Sequence, residues 1–199
     1  MTDQEAWETL GRIAEGQAGY VTTAQAAAVG VHRNTLRDQA HEGGRFERAA
    51  RGLYRLRFYP RSPFEQVAAA WVQAGPGLAV VSHESALELY GLADVVPNEV
   101  HLTLPREYRH RRPHPGARLH RPRTPLRDNE VRRRHGFRTT TTERTLLDVL
   151  EAGTQPEQVE LALRQALERA LTTPARMRRA SVGRSKTIRR HLERLLDPQ

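Results

Sequence analysis

The sequence contains no cysteine, and Lys186 is the one lysine among its 199 residues. The absence of cysteine excludes disulfide bonds, thiolate metal ligands and cysteine nucleophiles. No run approaches the roughly 18 apolar residues of a membrane span, and the N-terminus MTDQEAWETL is not a basic leader followed by an apolar run. We therefore expect a cytoplasmic protein with no membrane partner. Aromatic residues make up only 6% of the chain, which favours small packed units over one large core.

Several enzyme motifs are absent as well. There is no G-x-x-x-x-G-K-[ST] loop, no H-E-x-x-H helix and no G-x-S-x-G elbow. A restriction-type nuclease needs an E-x-K element, but Lys186 follows Arg184 and Ser185. We assign no catalytic residue and predict that the protein is not an enzyme. His110, His114 and His120 fall in a basic loop without cysteine or a suitably spaced carboxylate, so we expect no metal and no other cofactor.

Basic charge is abundant and is concentrated in two blocks. Residues 106–138 carry 12 Arg against 3 acidic residues, and residues 174–199 carry 8 basic residues against 2 acidic ones. Arg makes bidentate contacts to phosphate and to guanine that Lys does not make. The first hypothesis is a polyanionic partner. The alternative is that an Arg-biased composition uses these residues as ordinary solvated surface.

The first part of the chain has the pattern of a helix-turn-helix. We predict a helix over 3–15 capped by Asp3, an Ala-rich helix over 23–29 and a second helix over about 32–42. Gly30 supplies the positive backbone angle of the sharp turn between the last two helices.

A hairpin is predicted to follow directly. After Gly43 and Gly44, the sequence RFERAARGLYRLRF alternates apolar and polar residues around a turn at 49–52. A helix-turn-helix followed by such a two-stranded wing is a winged helix, so we assign residues 1–57 to a DNA-binding domain of this type.

The second helix of the pair begins with side chains suited to reading bases. Arg pairs with guanine and Asn with adenine in the major groove, where the N-terminal part of a recognition helix docks. The predicted base-reading residues are His32, Arg33, Asn34, Thr35 and Arg37, while Leu36 and Ala40 face the core. The predicted DNA-backbone contacts are Thr22, Thr23, Gln25, Arg48, Arg51 and Arg55. Because residues 1–57 hold 8 Arg against 7 acidic residues, the alternative is a domain that binds protein only.

The stretch SHESALELYGL, residues 82–92, resembles an active site in composition but not in spacing. Neighbouring helical residues point about 100° apart, so Ser82, His83 and Glu84 cannot converge on one reacting atom. A short helix explains the stretch better, with Ser82 as its N-cap and Gly91 at its C-terminal turn.

Further elements are predicted around this stretch. A capping box of Ser62 and Glu65 opens a helix over 63–74, and the sequence EVHLTLP at 99–105 reads as a half-buried strand. In that strand, the inward residues are Val100, Leu102 and Leu104, and the outward residues are His101 and Thr103.

The rest of the chain is predicted to alternate basic loops, short strands and helices. Strands are expected near 117–120 and 137–140, followed by a helix that Thr141 or Thr142 caps and Gly153 ends. A capping box of Thr154 and Glu157 opens the next helix, and a basic helix covers about 185–196. An accessory basic patch is assigned to Arg109, Arg111, Arg112, Arg132, Arg133 and Arg134.

The predicted fold class is α+β. A winged helix-turn-helix over 1–57 precedes a small mixed α/β domain over 58–152, and 153–199 forms C-terminal helices with a basic tail.

These segments together resemble the AbiEi family of antitoxins and transcriptional regulators. The resemblance rests on the helix-turn-helix followed by RGLYRL, on VVSHESALELYGLADVVPNEVHLTLP and on TTTERTLLDVL, in an order that covers about residues 5–152. It implies a winged helix that represses its own operon by binding inverted repeats in double-stranded DNA. It also implies a second domain that acts against a nucleotidyltransferase-like toxin.

Three hypotheses of function therefore remain open. The first is a sequence-specific DNA-binding autorepressor, and the second is a protein-interaction module that neutralises a toxin, with DNA binding secondary. The third is an RNA-binding protein that uses the Arg-rich loops, although few aromatic residues accompany these arginines to stack on bases. The oligomeric state stays open at this point.

Overall fold

The computed structural model describes residues 2–41 and 43–197 and divides into two compact units, with the boundary between Leu78 and Ala79. Each unit combines helices with its own sheet, so the fold class is α+β, as the sequence predicts. The three-segment division at 57/58 and 152/153 stays a prediction. None of the described helices is long and apolar enough to cross a membrane.

Unit 1 is a winged helix-turn-helix followed by one further helix. Its elements are α1 (Asp3–Glu15), β1 (Tyr20–Thr22), α2 (Thr23–Ala28), α3 (Arg33–Asp38), β2 (Phe46–Ala50), β3 (Leu53–Leu56) and α4 (Glu65–Ala74). The three strands form an antiparallel sheet in the order β1-β3-β2. Strand β1 is not among the sequence predictions, because three residues are too few to display a period of two.

The helix starts of unit 1 follow local hydrogen-bond chemistry. The hydroxyl of Thr2 accepts the amide of Glu5, and the Glu5 carboxylate accepts the amide of Thr2, so Thr2 caps α1 and the predicted cap, Asp3, is wrong. Thr22 and Gln25 form the same reciprocal capping box before α2, as predicted. Gly30 ends the turn with φ 87°, a conformation that favours glycine.

Three helices of unit 1 are shorter than predicted, and α2 differs only by ending at Ala28 instead of residue 29. Helix α3 ends at Asp38, and the predicted end at Glu42 lies outside the described residues. Helix α4 begins at Glu65 rather than at residue 63. Ser62 donates its amide to the Glu65 carboxylate, but its hydroxyl accepts the amide of Phe64, which forms a tight turn instead of the reciprocal cap.

Unit 2 contains a mixed five-stranded sheet and five helices among its described residues. The strands are β4 (Val80–Val81), β5 (Val100–Thr103), β6 (Ala117–His120), β7 (Val131–Arg134) and β8 (Phe137–Thr140). The helices are α5 (His83–Tyr90), α6 (Thr142–Ala152), α7 (Pro156–Glu168), α8 (Pro174–Ala180) and α9 (Lys186–Leu196), with two short 3-10 turns at Arg106–Tyr108 and Asp128–Glu130. Strand β7 is not among the sequence predictions, because its four residues, VRRR, carry no apolar alternation.

The sheet order of unit 2 is β6-β5-β4-β8-β7. Strands β5 and β6 are parallel, as are β4 and β8, while the pairs β4 with β5 and β7 with β8 are antiparallel. An apolar cluster brings together α5, α6 and α7 with one buried side chain each from α8 and α9, Met177 and Leu192. The C-terminal helices are therefore part of the packing of unit 2.

Three sequence predictions in unit 2 need correction. All four residues of β5 are buried, so His101 and Thr103 do not face outward as expected. Ser82 occupies the N-cap position of α5, but its hydroxyl makes no capping hydrogen bond and instead contacts His83 and Thr103. Thr154 does not cap α7, because its hydroxyl donates to the Glu84 carboxylate 2.9 Å away.

Several other predicted boundaries are confirmed. Thr141 caps α6, and Gly153 ends it in the left-handed conformation. Gly91 ends α5 in the same way, and Ser185 caps the basic helix α9.

Candidate nucleic-acid interface

The helix-turn-helix is anchored by a small apolar core beneath α3. Leu36 is fully buried there with Leu10, Ala26 and Phe46. Since a helix turns by about 100° per residue, burying this one position directs the neighbouring side chains to solvent. Ala40, predicted to face the core, packs against the same cluster.

The outer surface of α3 and of its N-cap residue, His32, carries all five predicted base-reading side chains. His32, Arg33, Asn34, Thr35 and Arg37 are exposed. Arg37 forms an ion pair with Asp38 at 3.7 Å, but both side chains are about two-thirds exposed, so water screens this pair and a phosphate or guanine can replace Asp38. The arrangement therefore presents donors and acceptors in the pattern of a recognition helix.

The predicted wing is a hairpin whose tip carries positive charge. Arg51 and Gly52 form the turn between β2 and β3, and Gly52 adopts φ 74°. A register shift between Arg48 and Ala50 bulges β2 next to this turn. Arg48 and Arg51 are both exposed, as a contact to the DNA backbone requires.

The start of α2 lies against this wing tip. The amide of Thr23 donates to the Gly52 carbonyl at 3.0 Å, and the Thr23 hydroxyl lies 3.4 Å from the same oxygen. The structure thus brings together two groups that the sequence predicts at the DNA backbone. Thr22 and Gln25 are occupied in the capping box, and Gln25 also bonds the buried Gln17, so a phosphate would have to compete with these bonds.

Arg55 is not a DNA contact, contrary to the sequence prediction. Its side chain is 1% exposed, and its guanidinium donates to the carbonyls of Leu56, Tyr59 and Pro60. It also pairs with Glu65 at 3.0 Å. Arg55 therefore stabilises unit 1 from within, because it joins β3 to the segment before α4 and to α4 itself.

The same cluster shifts the pKa values of two acidic groups, Tyr20 and Glu65. Burial and the hydrogen bond to Glu65 raise the pKa of Tyr20 to about 12. Burial raises the pKa of Glu65, but hydrogen bonds from Tyr20 and the Ser62 amide and the charge of Arg55 outweigh it, so the pKa lies below its usual value. Glu65 is therefore ionised at neutral pH and balances Arg55.

The accessory basic patch is divided in the structure of unit 2. Arg109 and Arg112 are exposed on the segment after β5, and Arg111 is half-buried. Arg133 is exposed on β7, where alternation directs it away from the face that Arg132 and Arg134 share. Arg134 donates to the Leu89 carbonyl at 2.6 Å and lies over the Tyr90 ring, so it is the one most engaged in packing.

A cleft of about 1040 Å³ in unit 2 gathers further arginines from distant parts of the chain. Its basic lining residues are Arg123, Arg127, Arg132, Arg144, Arg176, Arg179 and Arg184. Three of them form ion pairs: Arg144 with Glu130 and Asp148, Arg176 with Glu143, and Arg184 with Asp148 and Glu151. The others are exposed and add to the positive potential of the cleft. Sequence reasoning found only Arg132 of this set, although both basic blocks contribute to it.

Two family models match the two parts of the chain. The first, described as "Transcriptional regulator, AbiEi antitoxin", matches residues 8–57. The second, described as "AbiEi antitoxin C-terminal domain", matches residues 78–198, more than half of the chain. No curated protein sequence matches the chain.

The chain resembles solved structures, and one of them shares its fold at low sequence identity. It is the crystal structure of the RV2827C protein from Mycobacterium tuberculosis, with a TM-score of 0.56 and 16% identity. The match covers 99% of this chain and 78% of that chain. At this identity the likeness supports the fold, whereas the two family models identify the chain. The chain belongs to the AbiEi antitoxin family of transcriptional regulators.

Proposed function

We propose that the protein is a sequence-specific repressor that binds operator DNA through α3. The observation that carries the proposal is the outer face of α3, where five polar side chains are exposed around the buried anchor Leu36. Arg33 and Arg37 would read guanine, and Asn34 would read adenine in the major groove. His32 and Thr35 complete the surface that faces the bases.

The wing would supply contacts that hold the protein on the duplex without reading sequence. Arg48 and Arg51 are exposed at its tip, and Thr23 lies beside that tip at the start of α2. Phosphate contacts of this kind fix orientation and register and make the affinity dependent on salt. Such a partner also implies action in the cytoplasm.

Gel shifts and fluorescence anisotropy on the DNA upstream of the protein's own gene test this proposal. We expect Arg33→Ala to cost about 1 to 3 kcal/mol on the operator and to reduce the preference over random duplex. Arg164→Ala is the matched control, because Arg164 is an exposed arginine on α7 of unit 2. Equal binding of wild-type protein to operator and random duplex would contradict the proposal.

The regulatory role we propose is autorepression. A reporter fused to the upstream region should be repressed by wild-type protein and released by the combined Arg33→Ala and Asn34→Ala changes. Because the described residues of one chain contain one recognition helix, an operator of inverted repeats requires two copies, and sedimentation on one-site and two-site duplexes counts them. Repression that survives the loss of both side chains would assign sequence reading to another surface.

Neutralisation of a nucleotidyltransferase-like toxin is a second proposed function. The match of an antitoxin C-terminal domain to residues 78–198 favours unit 2 as the part responsible. Co-expression with the product of the adjacent gene tests this idea with the same α3 variants. If rescue persists when Arg33 and Asn34 are replaced, neutralisation is separate from DNA binding. If rescue disappears with them, DNA binding is the means of protection.

A further inference from the structure

Three histidines from separate elements converge in unit 2. His83 is the first residue of α5, His101 lies on β5 and His120 ends β6. One ring nitrogen from each lies within 4.8 Å of one ring nitrogen from each of the others. The ring centroids are 3.5 Å apart for His83 and His120, 5.0 Å for His101 and His120, and 5.8 Å for His83 and His101.

The sheet register explains why two of these rings meet. Strands β5 and β6 run parallel, with His101 opposite Arg118 and Thr103 opposite His120. His101 and His120 are therefore diagonal neighbours on one face of the sheet, within reach of each other's side chains.

The third ring, that of His83, is positioned by the start of α5. The amide of Ser82 donates to the carbonyl of His101 at 3.0 Å, and the amide of His101 donates to the Ser85 hydroxyl at 2.9 Å. These two bonds fix α5 against β5. His83 itself adopts φ 53°, a left-handed backbone conformation that costs free energy in a residue other than glycine. Strained backbone conformations of this kind are concentrated at functional sites.

Two polar atoms of the cluster lack partners. Among the described residues, nothing hydrogen-bonds the buried Nδ1 of His101 or the buried Nε2 of His120. A buried nitrogen without a partner is destabilising, and such groups are rare in native proteins unless an ion or a water satisfies them. The two unpaired atoms indicate that the cluster is completed by a ligand.

The imidazoles are in the protonation state that binds metal. Burial is the largest cause that lowers the pKa of His83 and of His120 to about 3, and it lowers the pKa of His101 as well. The neighbouring charge of Arg118 acts in the same direction on all three. The rings are therefore neutral at pH 7, with lone pairs available for coordination.

A hydroxyl pair orients one of the rings. The Thr103 hydroxyl donates to the Ser82 hydroxyl oxygen at 2.8 Å, and Ser82 Oγ lies 2.9 Å from His83 Nδ1. If Nδ1 carries the proton and donates to Ser82, the opposite nitrogen, Nε2, is left to coordinate. Metal-bound histidines are held in this way by partners on their second nitrogen.

We propose that His83, His101 and His120 form a binding site for a divalent transition metal ion of the zinc class. Three imidazoles without a carboxylate or thiolate suit Zn²⁺, Co²⁺ or Ni²⁺ rather than Mg²⁺ or Ca²⁺. Nitrogen ligands of tetrahedral zinc lie about 3.3 Å apart, so metal binding requires the rings to rotate. The nearly parallel rings of His83 and His120 must tilt apart so that both lone pairs point at one ion. Water or a partner side chain would fill the fourth position.

Cobalt titration of the full chain, with any affinity tag removed and after treatment with EDTA, tests the site. We expect one equivalent of Co²⁺ to give the visible absorption of a four- or five-coordinate ion, and Zn²⁺ to displace it. His120→Gln should weaken binding by about 100-fold or more, beyond the loss usual for an outer-shell partner. His110→Gln is the matched control, since His110 is exposed on the same basic segment and lies outside the cluster.

A second measurement keeps the test independent of how a variant folds. Zinc-edge X-ray absorption of the wild-type protein should report three imidazole ligands. Thermal denaturation should give a higher Tm with zinc than with EDTA, and His120→Gln should lose this difference. Absence of Co²⁺ absorption, fewer than three imidazoles, or equal Zn²⁺ affinity in wild type and a folded His120→Gln would each overturn the proposal.

Discussion

At the scale of single residues, Arg55 shows that a buried arginine stabilises the fold instead of binding an external partner. It stands in a wing strand among exposed arginines, yet its guanidinium contacts two carboxylates and three backbone carbonyls inside unit 1. A buried charge with so many partners is costly to expose and costly to leave incomplete. Its role is therefore in the stability of the winged helix.

We predict that Arg55→Ala lowers the free energy of unfolding of unit 1 by about 3 kcal/mol, because it leaves Glu65 and the carbonyls without their donor. Both tryptophans, Trp7 and Trp71, belong to unit 1, so their fluorescence in a urea titration reports on this unit. The control is Arg48→Ala in the same hairpin, where we expect a change within about 0.5 kcal/mol. Similar destabilisation by the two variants would contradict a structural role for Arg55.

Glu65 makes unit 1 sensitive to acid. Its pKa is lower in the folded protein than its ordinary value of 4.5, so it stabilises the fold above pH 4.5 and this contribution is lost as the pH falls through the folded pKa. We predict that Glu65→Gln removes this part of the pH dependence and lowers stability at pH 7. Tryptophan fluorescence in urea at a series of pH values measures the stability of unit 1. A pH profile of stability that Glu65→Gln leaves unchanged would contradict the prediction.

At the scale of elements, the basic tail is partly neutralised by contacts within unit 2. Arg184, between α8 and α9, pairs with Asp148 of α6 at 2.8 Å. Asp148 is 4% exposed and also accepts from Arg144 at 2.8 Å. On α8, Arg178 pairs with Glu193 of α9 at 2.9 Å. The tail is thus attached to α6 and carries less free positive charge than its composition indicates.

We predict that Asp148→Asn lowers the Tm of unit 2 by several degrees, because two partly buried guanidinium groups lose one shared carboxylate. Far-UV circular dichroism follows the loss of helix, while tryptophan fluorescence, which reports on unit 1, should show no matching shift. Glu151→Gln is the matched control, since Glu151 binds the same Arg184 but is about half exposed, and its removal should have a much smaller effect. A larger effect for Glu151 would reverse this assignment.

At the scale of the whole molecule, positive charge is divided between two kinds of surface. In unit 1 it lies on α3 and at the wing tip, beside side chains that can recognise bases. In unit 2 it lies on the segment after β5 and around the cleft, among few aromatic residues. The first surface suits sequence reading and the second suits binding to phosphate.

We therefore predict different effects for arginines of the two units. Arg33→Ala should reduce the preference for operator over random duplex. Arg112→Ala should weaken binding to both duplexes by a similar factor and reduce the salt slope by about 0.9 for each phosphate that the variant no longer neutralises. Fluorescence anisotropy over a range of salt concentrations measures both quantities. If Arg112→Ala changes neither, the second basic surface serves another partner.

Local hydrogen-bond chemistry made much of the fold predictable. The capping box of Thr22 and Gln25, the turn at Gly30 and the cap at Thr141 each depend on residues within a few positions, so the sequence states them directly. The exposure of the five predicted base-reading residues, four on α3 and one at its N-cap, follows from helical periodicity once Leu36 is taken as the buried position. Their role at DNA stays a prediction.

The sequence by itself determined the family, the fold class and the presence of the helix-turn-helix, because these depend on short-range patterns. The tertiary structure decided which charges are free and which are neutralised. In sequence, Arg55 and Arg184 cannot be told apart from exposed arginines, because their acidic partners come from other elements. It also decided the histidine cluster: His83, His101 and His120 are far apart in the chain, and only the register of β5 with β6 and the docking of α5 bring their rings together.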